Sequence, residues 1–322
     1  MKRIAVLTSG GDAPGMNAAI RAATRTAIER GAEAFGVRNG YEGLIHGDLV
    51  SLSARSVGGI IELGGTMLGS ARSPRFMTEK GLAEAIDSLR QWAIDGVIVI
   101  GGNGSQKGAL ALSKAGIAVN GVASTIDNDL CGSEMCIGVD TALNITLEAI
   151  DRLRTTATSH HRVFIVEVMG RDCGYLALMA GLAGGAEVIV TPEFPLPPEE
   201  VLEQIHEAKK RHKRHAMVIV SEHAPHDARC LYNCLVEDKD ACFDPRMTVL
   251  GHVVRSGRPS AFDRILATRL ASRAVDLLLA GKSGRLIGLN DANATATPLE
   301  EIVGKRKELP AELLALAETM KL

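Results

Sequence analysis

Aromatic residues supply only 3% of this 322-residue chain, and there is a single tryptophan. A protein so poor in aromatics has little with which to stack nucleic-acid bases. Neither sign of charge dominates, since 36 basic and 38 acidic residues leave a formal net charge of −2. The chain therefore lacks the general attraction of a basic protein to polyanions or acidic membranes. No apolar run reaches the roughly 18 residues of a membrane-spanning helix. Cysteine is sparse, six residues at irregular spacing, which reads as free thiols in a reducing compartment. The opening Met1–Lys2–Arg3–Ile4–Ala5–Val6–Leu7 reads as a strand and not as a secretory signal. These absences lead to the expectation of a soluble cytoplasmic globular protein with no nucleic-acid and no membrane partner.

What is abundant points to an α/β protein. Hydrophobic residues make up 46% of the chain and there are 34 glycines, enough core and enough turns for one large or two medium domains. Arg3–Ser9 reads as a buried strand. It runs into Ser9–Gly10–Gly11–Asp12–Ala13–Pro14–Gly15 and then a helical pattern over Met16–Gly31. Glycines between a strand and a helix let backbone N–H groups approach a phosphate, and the helix N-terminus favours the anion. The same unit recurs further on. Asp95–Ile100 is the most apolar strand, Gly101–Gly102–Asn103–Gly104–Ser105 is its exit loop, and a helix is expected over Gln106–Ala115. The Ser9–Gly15 loop matches neither the dinucleotide nor the P-loop pattern. A third glycine-rich turn, Gly64–Ala71, ends at Arg72, a candidate phosphate clamp beside an otherwise ordinary surface position.

The strand expected over Ala118–Ala123 leads into Thr125–Ile126–Asp127–Asn128–Asp129. Open α/β sheets bind ligands at the carboxyl ends of their strands. Were this segment extended, residues two apart would point the same way and both carboxylates would face one crevice. One could hold Mg²⁺ while the other takes a proton from a hydroxyl. The plainer reading is an Asx-rich turn capping the next helix.

Beyond this point the pattern predicts a long helix over Gly138–Ser159 and strands over Arg162–Met169, Glu187–Thr191, Ala216–Ser221 and Met247–Val254, the last carrying His252. An amphipathic helix is expected over Phe262–Gly281 and a mostly helical tail over Thr297–Leu322. The βαβ alternation occurs twice, before and after about Ile137, and the last helices complete the second half. The basic run Lys209–His215 reads either as a solvated helix end or as an anion site. His223, His226, Cys230, Cys234 and Cys242 form the only metal-like series, at a spacing unlike structural zinc sites.

Four motifs together resemble the bacterial ATP-dependent 6-phosphofructokinase family: Ser9–Asn17, Thr125–Asp129, Met169–Gly170–Arg171 and Val249–Leu250–Gly251–His252. The resemblance runs from the first strand to the last long helix. It implies two doubly wound, Rossmann-like α/β domains with the active site in the cleft between them. Residues 1–137 with about 254–305 would form the larger, ATP-binding domain, and 138–253 with about 306–322 the smaller, sugar-phosphate-binding one. It further implies transfer of the γ-phosphoryl of Mg·ATP to the 1-hydroxyl of fructose 6-phosphate, a glycolytic step, in a homotetramer.

Residue by residue, the resemblance makes Asp127 the general base, with Thr125, Arg171 and Arg72 stabilising the transferring group. Gly11, Arg72, Ser73, Gly102, Asn103, Gly104 and Ser105 would bind ATP, and Asp129 with Asn103 would serve Mg²⁺. Thr125, Asp127, Met169, Gly170, Arg171, Glu222, His252 and Arg255 look like sugar ligands, while Arg162 and Arg246 resemble a pair that a neighbouring subunit donates to the 6-phosphate. Arg21, Arg25, Arg154, Gly185, Glu187, Arg211 and Lys213 resemble an effector site for ADP or phosphoenolpyruvate.

Several positions depart from the family pattern. Asn103 replaces a usual aspartate, giving up one negative charge beside a hard cation and implying weaker metal binding or lower turnover. Ser73 and Met77 replace an aromatic and a cation, and Ala54 and Gly59 stand at effector positions that usually carry charge. Gly104 resembles the ATP-using branch, whereas Ser124 resembles neither branch. Two alternatives follow: a weakly active or regulatory paralogue that binds sugar phosphate or effector, and a pyrophosphate-using variant.

Overall fold

The computed structural model describes Met1–Met320, and its chain divides into two units. Unit 1 comprises Met1–Thr141 and Arg255–Lys307, and unit 2 comprises Ala142–Val254 and Glu308–Leu322. In chain order, unit 1 opens with β1 (Arg3–Thr8), α1 (Met16–Glu29), β2 (Glu33–Val37), α2 (Gly40–Ile45) and β3 (Leu49–Leu52). It continues through α3 (Glu79–Gln91), β4 (Gly96–Gly101), α4 (Asn103–Lys114) and β5 (Ala118–Ala123). Helix α5 (Val139–His160) follows, then β6 (Arg162–Val168), α6 (Tyr175–Gly184), β7 (Val188–Val190), α7 (Pro198–Lys210), β8 (Ala216–Ser221), α8 (Ala228–Glu237) and β9 (Asp244–Val249). The chain finishes with α9 (Ala261–Leu279), β10 (Arg285–Asn290), β11 (Asn293–Pro298), α10 (Leu299–Ile302) and α11 (Ala311–Met320).

Unit 1 is built on a seven-stranded sheet in the order β11–β10–β5–β4–β1–β2–β3. Its five central strands run parallel, and β3 and β11 close the two edges antiparallel to β2 and β10. A parallel sheet covered by helices on both faces needs strands that are apolar throughout. The Val97–Ile98–Val99–Ile100 run of β4 meets that need, with all four residues fully buried. On one face α1 packs against α9, and the alanines of α1 allow the close approach. The two glycine-rich loops leave β1 and β4, neighbours in the sheet, at the same end.

Unit 2 has a four-stranded parallel sheet in the order β7–β8–β6–β9. Val163, Ile165, Val188, Val218, Val220 and Leu231 lie at its centre, each essentially inaccessible.

Two expectations are corrected here. The tail does not turn helical at Thr297, because Asn293–Pro298 pairs with β10 over its whole length. Its threonines and alanines give neither period clearly, so the neighbouring strand decides. Strand β9 ends at Val249, and His252 sits in a 3₁₀ turn, Gly251–Arg255. The left-handed backbone of Gly251, at φ 51°, breaks the extended run there. No group of three or more His, Cys, Asp or Glu residues able to hold a metal ion occurs among the described residues. The six cysteines are free thiols.

Candidate active site

In unit 1 the site is assembled from three loops at the carboxyl ends of β1, β4 and β5. Ser105 at the start of α4 donates its hydroxyl to the Ser9 carbonyl at 2.8 Å, tying the loop after β4 to the one after β1. Gly101 has no room for a side chain, since a Cβ there would lie 2.3 Å from the Ser105 Oγ. Gly102 passes close to Thr125, which brings the β5 loop alongside. Ser70 donates to the Gly10 carbonyl at 2.6 Å and Asn17 holds the backbone of Leu63, Gly64 and Met67, so the turn that ends at Arg72 is anchored too.

Arg255 threads into this group. Its guanidinium donates to the Asp12 carbonyl at 2.9 Å, lies against Gly11, and stands 3.7 Å from the Asp127 carboxylate. A Cβ at Gly11 would come within 2.9 Å of that guanidinium, so the glycine admits the arginine. Asp127 is nearly buried, and its own N–H donates to the Thr125 hydroxyl at 3.2 Å. The extended segment expected between the two aspartates is absent. Asn128 is left-handed at φ 52°, a conformation that asparagine tolerates better than most residues. The orientation of both carboxylates is therefore set by a kink and not by strand alternation.

Asn103, at the first turn of α4, donates its side-chain amide to the Asp129 carbonyl at 3.4 Å. Two carboxylates with an adjacent amide make an oxygen-rich donor set that suits a hard cation. Magnesium is commonly held by one or two protein carboxylates and completed by substrate phosphates and water. The residues fit such an ion, with fewer charges than a third aspartate would supply. Ser73 donates its hydroxyl to Glu42, and this bond, more than nearby His46 and Arg75, holds the half-buried Glu42 carboxyl below its ordinary range. Tyr41, stacked on Phe76 at 4.1 Å, donates its phenol to the Ser105 carbonyl at 2.6 Å.

The far end of the β5 loop is held by Asp263 on α9. This fully buried carboxylate accepts from Gly138 N–H, Thr141 N–H and the Thr141 hydroxyl, at 2.8, 2.8 and 2.5 Å. Burial pushes its carboxyl above the ordinary value, against the pull of those three donors. Nothing in the sequence pattern marked Asp263 as more than an α9 surface acid. Its position three residues after the Ser260 cap was the available signal, for Ser260 accepts from the Asp263 N–H.

Unit 2 carries the other predicted residues in three groups. Glu222, just past β8, accepts from Gly170 N–H at 3.2 Å and Arg171 N–H at 2.7 Å, with Arg171 left-handed at φ 56°. On β6 and β9, Arg162 and Arg246 both pair with Asp244, at 3.3 and 2.6 Å. The third group surrounds Glu187, which pairs with Lys213 at 3.2 Å and accepts from Met217 N–H. Arg154 reaches toward Gly185. Beside them lies a cavity of about 460 Å³ lined in part by Glu187 and Arg211. His215, bonded to Thr158, has its pKa lowered, first by burial and then by Arg154 and Lys213 against the opposing effect of Glu187. His252 is exposed in its turn. Arg21 and Arg25 are on α1 of unit 1, Arg25 reaching the Ala54 carbonyl.

Two parallel-sheet α/β units, with glycine loops and a carboxylate pair at the strand ends of one, define a protein of the kind that handles phosphorylated ligands. Residues 3–278 match the family model described as phosphofructokinase. The chain is 48% identical over 322 residues to an ATP-dependent 6-phosphofructokinase of Natranaerobius thermophilus, with full coverage of both. It is 49% identical over 324 residues to ATP-dependent 6-phosphofructokinase 1 of Thermus thermophilus, again in full. Among solved structures, phosphofructokinase of Saccharomyces cerevisiae superposes with a TM-score of 0.86 at 35% identity, covering 99% of this chain but only 46% of the yeast chain. A pyrophosphate-dependent phosphofructokinase of Marinobacter aquaeolei gives 0.84 at 26% identity, covering 97% and 86%. The chain belongs to the phosphofructokinase family.

Proposed function

We propose that this protein is a glycolytic ATP-dependent 6-phosphofructokinase, phosphorylating the 1-hydroxyl of fructose 6-phosphate. The observation that carries the reading is Asp127, nearly buried beside Arg255, with the loops of Gly11 and Gly102–Ser105 converging on it. In this reading Asp127 takes the proton of the attacking hydroxyl. Thr125, Arg171 and Arg72 neutralise charge on the transferring group, and the backbone of Gly11, Gly102, Asn103, Gly104 and Ser105, with Ser73, holds ATP. Asp129 and Asn103 would hold Mg²⁺, which when bound shields the phosphate oxygens. Met169, Gly170, Glu222, His252 and Arg255 orient the sugar, and Arg162 and Arg246 of a neighbouring subunit bind its 6-phosphate. Phosphoryl transfer asks for positioning and charge neutralisation more than for covalent catalysis, and these residue types supply both.

In the same proposal unit 1 binds ATP and unit 2 the sugar phosphate, the working protein is a cytoplasmic homotetramer, and ADP or phosphoenolpyruvate acts at Arg21, Arg25, Arg154, Gly185, Glu187, Arg211 and Lys213. No helix among the described residues is long and apolar enough to cross a membrane. The test is a coupled assay of purified protein with fructose 6-phosphate and either Mg·ATP or pyrophosphate. Product with ATP supports the reading; product with pyrophosphate alone transfers it to the other donor, and no product with either rejects it.

Asn103 favours a second reading, a catalytically weak paralogue. If that holds, Asn103→Asp raises kcat by about tenfold or more, the scale of one well-placed charge at a transition state. In an already competent enzyme the same change only lowers the magnesium concentration needed for half-maximal rate, by a few-fold.

A further inference from the structure

The loop from Thr125 to Ile137 carries both aspartates, yet it contains neither helix nor strand. Its ends are joined where Ile137 N–H donates to the Ala123 carbonyl at 3.0 Å and the Ser124 hydroxyl approaches the Ile137 carbonyl at 3.4 Å. Ser133, bonded to Met135 and Leu289, and Asn290, bonded to Gly132, hold its middle, and one further side chain spans it from the aspartates. Asn128, 1% exposed, donates its amide N–H to the Glu134 carbonyl at 3.0 Å and accepts from Cys136 N–H at 3.1 Å. It thus reaches across the loop from the kink between Asp127 and Asp129 to the returning strand of chain. A second donor meets the same acceptor from outside. Lys307 donates its ammonium to the Ser133 carbonyl at 2.9 Å and to the Glu134 carbonyl at 2.6 Å, while its backbone N–H approaches the Asp129 carbonyl at 3.4 Å.

From this geometry we infer that Asn128 and Lys307 are positioning residues, a brace converging on the Glu134 carbonyl that sets the direction of the two carboxylates. The inference rests on the reading of Asp127 as the base. A left-handed residue without its side-chain bonds can return to the extended or right-handed regions. Either move changes the direction of Asp129 relative to Asp127. Bonds between a buried amide and backbone groups have no water to replace them, so the brace is not interchangeable with solvent. Neither residue is required to touch substrate, which distinguishes this role from catalysis.

Asn128→Gly is the informative variant, because glycine keeps the left-handed backbone available while losing both bonds. We expect kcat to fall about 30-fold, with KM for sugar phosphate and ATP held within about threefold, a size in keeping with misplacement by a fraction of an ångström. Amide exchange at Cys136 should speed up at least tenfold as its acceptor is lost. Lys307→Met, which keeps the aliphatic stem, should move kcat and loop exchange the same way by about threefold. The brace is refuted by a folded Asn128→Gly protein with kcat within twofold of the parent, with unchanged Cys136 protection, or with a raised KM at constant kcat. Asp127→Asn is the control for the underlying reading. If that variant stays active, Asp127 is not the base, and the brace is then judged on exchange at Cys136 alone.

Discussion

Among the places that set an arginine against an aspartate, two do so on different terms. Arg255 and Asp127 stand 3.7 Å apart with only 15% and 12% of their side chains exposed. Arg162 and Arg246 share Asp244 at shorter distances, but Asp244 is 49% exposed and Arg246 43%. A pair withdrawn from solvent interacts at low effective dielectric and is costly to disturb. A pair at the surface contributes roughly 0–1 kcal/mol and is easily exchanged for another partner. The first arrangement suits groups that must be fixed before a reaction. The second suits cations that wait on a weak acid until a stronger anion arrives.

The largest effect should come from the enclosed pair. Asp127→Asn keeps the shape but cannot accept a proton, and kcat should fall about 10³-fold with the fold intact, within the usual reach of general-base catalysis. Steady-state rates together with circular dichroism would check it, and a loss below tenfold would remove the contrast between the two places. Next comes Asp263→Ala, which strands Gly138 N–H, Thr141 N–H and the Thr141 hydroxyl in the interior. It should cost about 3 kcal/mol of stability, the scale of a lost buried acceptor network, measured by denaturant unfolding.

At the exposed pair, Arg246→Ala should raise KM for fructose 6-phosphate about 30-fold, as expected for one charge-assisted contact, with kcat within threefold. A fall in kcat with KM held would mean that Arg246 acts on the chemistry instead. The smallest effect is at His215. Its pKa is lowered in the folded state, so the unfolded chain binds the extra proton first. The parent protein therefore loses stability as pH falls from the ordinary histidine value, 6.5, through the lowered one. In His215→Gln the drop in melting temperature between pH 7.5 and 5.5 should be smaller, and an equal drop would discard the linkage.

Much of this was legible in the chain because the α/β fold writes its buried parallel strands as apolar runs and its phosphate loops as glycines. Val97–Ile100 with Gly101–Ser105, and Ile4–Leu7 with Ser9–Gly15, needed little more than that. The legible part ended where local pattern gave way to contacts made far along the sequence. Asn293–Pro298 is a strand because β10 lies beside it, and His252 leaves the sheet because Gly251 turns. The kink at Asn128 was hidden for the same reason, since its bonds to Glu134 and Cys136 belong to the loop and not to the pentapeptide. Lys307 had no signal at all: one cation in the short run Lys305–Lys307 looks like any other until the chain has folded back. His223, His226 and the cysteines after them were close in sequence, but proximity of that kind did not make a metal cluster.

The thiol of Cys136 lies in the same loop as Asp127 and Asp129. As a thiolate it would rival a sugar alcohol for any activated phosphorus and would be open to oxidants and alkylating agents. Burial pushes it up to about 12, so at neutral pH it stays protonated and chemically silent. Reagents that label surface thiols should therefore find the exposed Cys230 long before they reach Cys136, and a dye placed on Cys230 could report on the enzyme without poisoning it.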